Sequence, residues 1–349
     1  MSRVAIAMSG GVDSTVTACK LLDAGHECVG MTMVMDQCPA TAREAEAAAR
    51  VCEGLGFAHV SLPLTDAFEH HVVGPFVGSY RQGLTPNPCI ECNRTLKFGL
   101  LWERARELGC DAIATGHYAR VTYEPDGTYA LREARCPDKD QSYVLYPVPQ
   151  EVLAHAVFPL GDVSSKDEVR AYARERGLAC ASKSDSVDIC FVPDGDYVGF
   201  IERHTGEPLT PGRIVDAEGN VVGTHNGQER FTIGQRKGLG VQGPGRSYVV
   251  SKSVETGDIL VGADEELYAS EWYVERALWP QGELEGPQRV EVVNCYHGFR
   301  HAATVEAVDK SRLLVRADEP VRALAPGQSC VAYDGDRVVV GGIISASEH

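Results

Sequence analysis

Two short strings in this 349-residue chain set chemically active side chains at close spacing. In TPNPCIECNRTLKFG, residues 85–99, Cys89 and Cys92 stand three apart, behind two prolines and ahead of a helical pattern that carries Lys and Arg. Such a pair either holds a metal or supplies a thiol as a reagent. A structural zinc site takes four ligands, typically from a second Cys-x-x-Cys. The chain has no second pair, and Cys38 and Cys136 are candidates only by being cysteines. A reagent thiol reacts as its thiolate, so its pKa must fall below the free value of about 8.5.

The other string is AMSGGVDS, made of Ala7, Met8, Ser9, Gly10, Gly11, Val12, Asp13 and Ser14. It joins a short apolar run to a helical pattern, where a chain offers backbone N–H groups and a helix N-terminus to an anion. Gly10 and Gly11 clear side chains from the path of a phosphate. Ser9 and Ser14 add hydroxyls, and Asp13 either caps the helix or sits near a phosphate-bound magnesium ion. The Gly-Lys-Ser/Thr ending of a Walker A loop is absent. A bare Gly-Gly turn with an Asp cap is the ordinary alternative, but the full Ser-Gly-Gly-Val-Asp-Ser string in this setting favours a phosphate loop.

The elements that must position these strings alternate in a βαβ manner. RVAIAM, HECVGMTMVM, FAHVSLPL and DAIATG read as strands. STVTACKLLDAG, TAREAEAAARVCEGLG, RTLKFGLLWERARELGC and SKDEVRAYARERG read as helices, several stopped by glycine. This alternation predicts a parallel sheet covered on both faces. Near residue 205 the texture changes to Gly/Pro-rich sequence with short β-prone runs and no long helix. YVVSKSV, DILVG, RVEVVNCY, AATVEAV, RLLVRA and RVVVGGIIS read as strands of an antiparallel sandwich or barrel, with residues 278–288 as a linker.

Bulk properties bound the rest. A net charge of −16 argues against a surface coated for nucleic acid, yet leaves room for a local basic patch. No apolar run reaches the roughly 20 residues of a membrane helix. The N-terminus reads as a buried strand, not a signal peptide, so a cytoplasmic location with no membrane is expected. Twelve cysteines without dense even spacing fit a reducing compartment. Cys19, Cys28, Cys52, Cys110 and Cys180 lie in apolar patterns and read as core.

Several long strings then occur in a fixed order: the glycine loop, GLTPNPCIECNRTLKFG, ATGHYAR at 114–120, KDQSYVLY at 139–146, SDSVDICFV at 184–192 and FTIGQRKGLG at 231–240. Together they resemble the tRNA-specific 2-thiouridylase family over essentially the whole chain. The resemblance implies an α/β N-terminal domain with an adenine-nucleotide α-hydrolase-like parallel sheet. A small β-rich central domain and a C-terminal β-barrel would follow it. With the change of texture, the expected bounds are 1–205 for the ATP-pyrophosphatase catalytic domain, 206–277 for the central domain and 278–349 for the barrel. The implied reaction adenylates the C2 oxygen of a wobble uridine with ATP and magnesium, then replaces oxygen by sulfur. tRNA would be the substrate, and a cysteine desulfurase or sulfur-relay protein would supply the sulfur.

By the same resemblance Cys190 carries the sulfur as a persulfide, and Cys92 resolves it, leaving a Cys92–Cys190 disulfide. Local pattern alone would make Cys190 a buried strand residue. Met33 and Gly116 join the loop in the nucleotide site, although Met33 has a plain packing reading. Asn87, Pro88, Cys89, His117, Lys139, Asp140, Gln141 and Gln328 match tRNA contacts, while a lone histidine such as His117 is ordinarily a hydrogen-bonded core residue. The basic turn GQRKG, residues 234–238, suits phosphates. In some family members an aspartate stands at position 89. With cysteine there, Cys89, Cys92 and Cys190 offer a competing route to the same product through a 4Fe–4S cluster with one open iron. CYHGFR, residues 295–300, replaces the family's Arg-Tyr-Arg-Gln string, so no barrel contact is carried over there. Two other classes compete: an adenylating enzyme acting on a small metabolite, which has no use for the two cysteines, and a non-catalytic RNA-binding or redox module.

Overall fold

The computed structural model describes residues 1–38, 40–182, 189–241, 246–280, 282 and 284–346. The chain forms two compact units: Met1–Val73 with Pro88–Pro193 and Asp336–Val339, and Gly74–Asn87 with Asp194–Gly335 and Val340–His349.

The first unit contains strands β1 (Arg3–Ala7), β2 (Glu27–Val34), β3 (Ala58–Pro63), β4 (Ala112–Ala114), β5 (Ala119–Tyr123), β6 (Tyr129–Glu133) and β7 (Ala156–Val157). Five form a sheet in the order β3-β2-β1-β4-β7, and every pairing in it is parallel. β1 is buried through Val4, Ala5 and Ile6, as an apolar run in a parallel sheet should be. The helix Val12–Asp23 follows β1 directly and is left through Gly25 at φ 80°, the left-handed stop expected there. The helix Ala40–Leu55 lies on β2 because Gly30 has no side chain. A Cβ at position 30 would come within 2.5 Å of the Cys52 sulfur. The helix Lys166–Glu175 begins at Ser165, whose hydroxyl accepts the Glu168 N–H. The expected cores hold: Cys19, Cys28, Cys52, Cys110 and Cys180 are all buried.

The hairpin of β5 and β6 was not expected. It pairs Ala119–Tyr123 with Tyr129–Glu133 around a tight turn. The expected helix over 94–110 is present in altered form. Cys92–Leu100 winds as a π-helix, and only Leu101–Glu107 is α-helical.

In the second unit the α-helix Tyr197–Thr205 ends at Gly206 in the left-handed conformation. Beyond it the described residues carry no further α-helix. β8 (Pro211–Val215), β9 (Val221–Asn226), β10 (Tyr248–Lys252) and β11 (Ile259–Gly262) make a small sheet around Ile214, Phe231, Val249 and Ile259. β12 (Tyr268–Leu278), β13 (Gln288–Val293), β14 (His301–Asp309), β15 (Arg312–Arg322), β16 (Ser329–Asp334) and β17 (Arg337–Ile344) run in the order β12-β15-β14-β13-β16-β17. Pairing of β12 with β17, Val274 opposite Ile344, closes these six into a barrel. Residues 278–288, read above as a linker, therefore join two strands of one sheet. No helix among the described residues is long and apolar enough to cross a membrane.

Candidate active site

The glycine loop lies where β1 turns into the first helix. Met8 N–H donates to Met31 O at 2.8 Å, and the Thr32 hydroxyl donates to Met8 O at 2.7 Å, fixing the loop to β2. His59 Nε2 lies 2.8 Å from the same hydroxyl. Because that hydroxyl's proton is already committed, His59 donates, and burial lowers its pKa and keeps it neutral. Gly10 has φ 64°, and a Cβ there would meet the Ala47 Cβ at 2.9 Å. Gly11 is the N-cap residue, with no side-chain cap on the turn that follows. A helix start of this kind is a ready anion site. Ser14 Oγ accepts from Ser9 N–H at 3.3 Å and donates to Gly11 O at 3.2 Å, so the two serines are drawn together.

Asp13 does not cap the helix. Its carboxylate takes the Tyr118 hydroxyl at 2.8 Å and the Lys166 ammonium at 2.7 and 2.6 Å. Gly116 permits this approach, since a Cβ there would sit 3.0 Å from Asp13 and 3.1 Å from Ser14 N. Met33 is half-buried on β2, whereas Met31 and Met35 on either side of it are buried.

The sulfur-bearing residues converge in the same unit. Pro88–Glu91 forms a helical turn that runs into the π-helix at Cys92. π-helical segments are rare and concentrate at functional sites. Cys89 is exposed and Cys92 half-buried. Lys97, on the π-helix, has Nζ 3.5 Å from His117 Nε2, and its charge acts on Cys89, Cys92 and Cys190. His117 is buried, with Nδ1 2.7 Å from the Thr115 hydroxyl, and burial with Lys97 beside it holds its pKa well below the usual value.

Cys190 is exposed in a turn, between the half-buried Ile189 and the buried Phe191 and Val192. It is not the buried strand residue that local pattern suggested. Phe191 packs edge-on against Phe68 at 5.5 Å, which anchors the turn. Residues 184–188 of the SDSVDICFV string lie outside the described residues. The Cys190 sulfur accepts a hydrogen bond from the Cys38 thiol at 3.6 Å. That donor lowers the Cys190 pKa to about 7, against partial desolvation by the surrounding protein and with help from Lys97. The same contact, with burial, pushes Cys38 far up. Crowding by the surrounding protein raises Cys92 to about 12, and the same desolvation raises Cys89 although that residue reaches the surface, in both cases against Lys97. One sulfur of the four is therefore tuned as a thiolate.

The residues matched to tRNA contacts divide. Asp140 accepts from Ala134 N–H at 2.7 Å and the Ser142 hydroxyl at 2.6 Å, and burial raises its pKa to about 6. Gln141 Oε1 accepts Tyr118 N–H at 3.1 Å. Asp140 closes the turn Pro137–Lys139, and Gln141 ties the segment after it to Tyr118. Gln328 donates to Thr85 O at 2.8 Å within the second unit, which also contains Asn87. Sequence reasoning missed Tyr118, Lys166, Lys97 and the pairing of Cys38 with Cys190.

A 4Fe–4S cluster with one open iron would need three thiolates, each bound to a different iron. Among the described residues no three His, Cys, Asp or Glu side chains are placed to hold a metal ion, and Cys190 is engaged by Cys38. With Cys190 committed to Cys38, the persulfide route is the one followed below, and no step is derived through a cluster.

Comparison with known proteins places this site in a family. The model described as tRNA methyl transferase HUP domain matches residues 2–194. A tRNA methyl transferase PRC-barrel domain matches 198–263, and an aminomethyltransferase beta-barrel domain matches 269–344. The tRNA-specific 2-thiouridylase MnmA of Pelobacter propionicus is 42% identical over 351 residues, covering 99% of this chain and 98% of that protein. The protein of the same name from Saccharopolyspora erythraea is 44% identical over 365 residues, covering 99% of each. Among solved structures, the U34-tRNA thiolase NcsA from Methanococcus maripaludis with its [4Fe-4S] cluster is 19% identical with a TM-score of 0.37, covering 58% of this chain and 67% of that one. At that score it carries no argument here. On the family model over the first unit's sheet and on relatives matched end to end, the chain belongs to the tRNA-specific 2-thiouridylase family.

Proposed function

We propose that this protein is an ATP-dependent tRNA-uridine 2-sulfurtransferase acting on the wobble uridine. The observation that carries the reading is the presence, in one compact unit, of an uncapped helix start behind a glycine loop and a single cysteine tuned to ionise near neutral pH. The loop Ala7–Ser14, with Met33 and Gly116, would hold ATP as its magnesium complex. Lys166 and Asp13 would stand beside the phosphates. A uracil C2 carbonyl is a poor electrophile. Attack of its oxygen on the α-phosphorus expels pyrophosphate and makes that oxygen a good leaving group. The terminal sulfur of a Cys190 persulfide then attacks C2, and AMP departs with the electron pair of the broken C–O bond.

The sulfur now bridges C2 and Cys190. A second thiolate must attack the Cys190 sulfur to free the thiocarbonyl, and by family resemblance this is Cys92. A dithiol reductant reopens the disulfide. Asn87, Pro88, Cys89 and Lys139 are proposed to face the RNA, with His117, Asp140, Gln141 and Gln328 supporting the segments that do so. Sulfur would arrive from a cysteine desulfurase or relay protein, and the free thiols suit the cytoplasm. The test supplies the protein with ATP, inorganic polysulfide and unmodified tRNA, followed by nucleoside mass spectrometry. 2-Thiouridine should appear together with pyrophosphate. Pyrophosphate formed with a small metabolite but never with tRNA would overturn the reading.

A further inference from the structure

The turn GQRKG, residues 234–238, has no task in the reaction as drawn, and the charge around it is unlike that of the rest of the chain. From Arg230 to Lys252 the sequence holds five cations, Arg230, Arg236, Lys237, Arg246 and Lys252, and no Asp or Glu, in a chain of net charge −16. Arg230, Arg236, Lys237 and Arg246 are exposed. Lys252 is engaged internally, its ammonium donating to Phe231 O at 2.9 Å. Other arginines of this unit, such as Arg213 and Arg322, are paired with Asp258 and Asp264, whereas among the described residues none of the four exposed cations is held by a carboxylate. Resting on the function proposed above, we infer that this stretch is a docking surface for the phosphate backbone of the tRNA, with Arg236 and Lys237 as its principal contacts.

The turn is fixed in advance. Phe231 before it and Leu239 after it are buried in the small core with Ile214, Val249 and Ile259. Gly234 N–H donates to Val249 O at 2.8 Å and Val249 N–H to Gln235 O at 3.0 Å, which ties the turn to β10. The Gln235 side chain spans it: Oε1 accepts Thr232 N–H at 3.1 Å, and Nε2 donates to Lys237 O at 3.0 Å. Gly234 at φ 83° and Gly238 at φ 77° supply left-handed bends on either side of Arg236 and Lys237. A Cβ at position 234 would also come within 2.6 Å of that of Ala323. The backbone that carries the two cations is therefore ordered before RNA arrives, and docking has only their side chains left to immobilise.

The chemistry of the surface selects the partner. A protein docking surface has an apolar centre ringed by polar groups. Here no large apolar side chain is exposed among the described residues of 230–252. What the turn presents is glycine and cation. Cations of this kind neutralise phosphates and release their counterions, which gives an affinity that falls steeply with salt. Such contacts fix where the RNA lies without reading its bases. Because the chain as a whole is acidic, a local positive surface also limits the directions from which RNA can approach.

The test measures binding of unmodified tRNA to the full chain by filter retention across a salt series. It compares the unmutated protein with a double variant, Arg236→Ala with Lys237→Ala. Each neutralised phosphate contributes about 0.9 to the slope of log K against log salt on a duplex and about 0.7 on a single strand. Losing both contacts should flatten the slope by about 1.4–1.8, so that binding at about 0.1 M salt weakens by about 25- to 60-fold and the two proteins converge near about 1 M. Arg236→Lys with Lys237→Arg should restore the slope, which a merely structural role of the turn would not do. An unchanged slope in the alanine variant, or equal weakening at every salt concentration, overturns the surface and leaves the proposed function standing if 2-thiouridine is still formed. An unchanged slope with slower persulfide loading of Cys190 by a cysteine desulfurase assigns the cations to a protein partner and likewise overturns the surface. If the unmutated chain neither binds tRNA nor forms 2-thiouridine, the proposed function falls and the surface with it.

Discussion

Replacing Cys38 by alanine should change the reactivity of Cys190 in opposite directions at low and high pH. Cys190 has its pKa lowered from 9.0 to about 7, and the first cause is the hydrogen bond from Cys38. A thiol of pKa 7 is about half ionised at pH 7, against about 1% for one of pKa 9, a gain of about fiftyfold in thiolate. Thiolate nucleophilicity falls with pKa at a slope of about 0.4–0.5, so two units cost about eightfold in intrinsic reactivity. The net advantage at pH 7 is about sixfold. Taking full return to the ordinary value as the limit, Cys38→Ala should slow alkylation of Cys190 by iodoacetamide at pH 7 by up to about sixfold. At pH 10, where both forms are largely ionised, the variant should be faster by up to about sevenfold. Cys38→Ser, which keeps a donor, should fall between. The assay is pH-dependent labelling followed by quantitation of the Cys190 peptide. Equal slowing at every pH would mean that only access had changed, and a midpoint that does not move would refute the donor role.

Two further outcomes follow from the loop. Gly10→Ala must adopt φ 64° with a Cβ 2.9 Å from that of Ala47, which should destabilise the protein by about 2–5 kcal/mol in urea unfolding; an unchanged midpoint would show that the loop is not held as described. Lys166→Met removes the cation bonded to both Asp13 oxygens and should lower tRNA-dependent pyrophosphate release on the order of a hundredfold. Release at the unmutated rate would remove Lys166 from the nucleotide site.

Local signals carried much of this structure. Apolar runs, helical spacing and glycine stops marked four of the five strands of the parallel sheet and its principal helices, because each is decided within about a dozen residues. The glycine loop was legible for the same reason: Gly10 needs a left-handed backbone, and Gly-Gly between a strand and a helix announces it. What stayed hidden depends on chain distance. Asp13 meets Tyr118 across 105 residues and Lys166 across 153, and Cys38 meets Cys190 across 152. No pattern within a window can reveal such partners. The π-helix at Cys92 was also out of reach, since hydrophobic spacing does not separate one extra residue per turn from an α-helix over a single short segment. β12 was missed because YASEWYVERAL alternates but is rich in Glu, Ala and Arg, and only its place in the barrel buries Trp272 and Val274.

The central claim is that sulfur reaches the uridine from position 190 after ATP has primed it. Cys190→Ser tests it most directly, in a paired measurement of ATP binding and of 2-thiouridine formed on tRNA with polysulfide as the sulfur source. The account expects ATP to bind as before and 2-thiouridine to be absent. A serine variant that thiolates tRNA at the unmutated rate would contradict it.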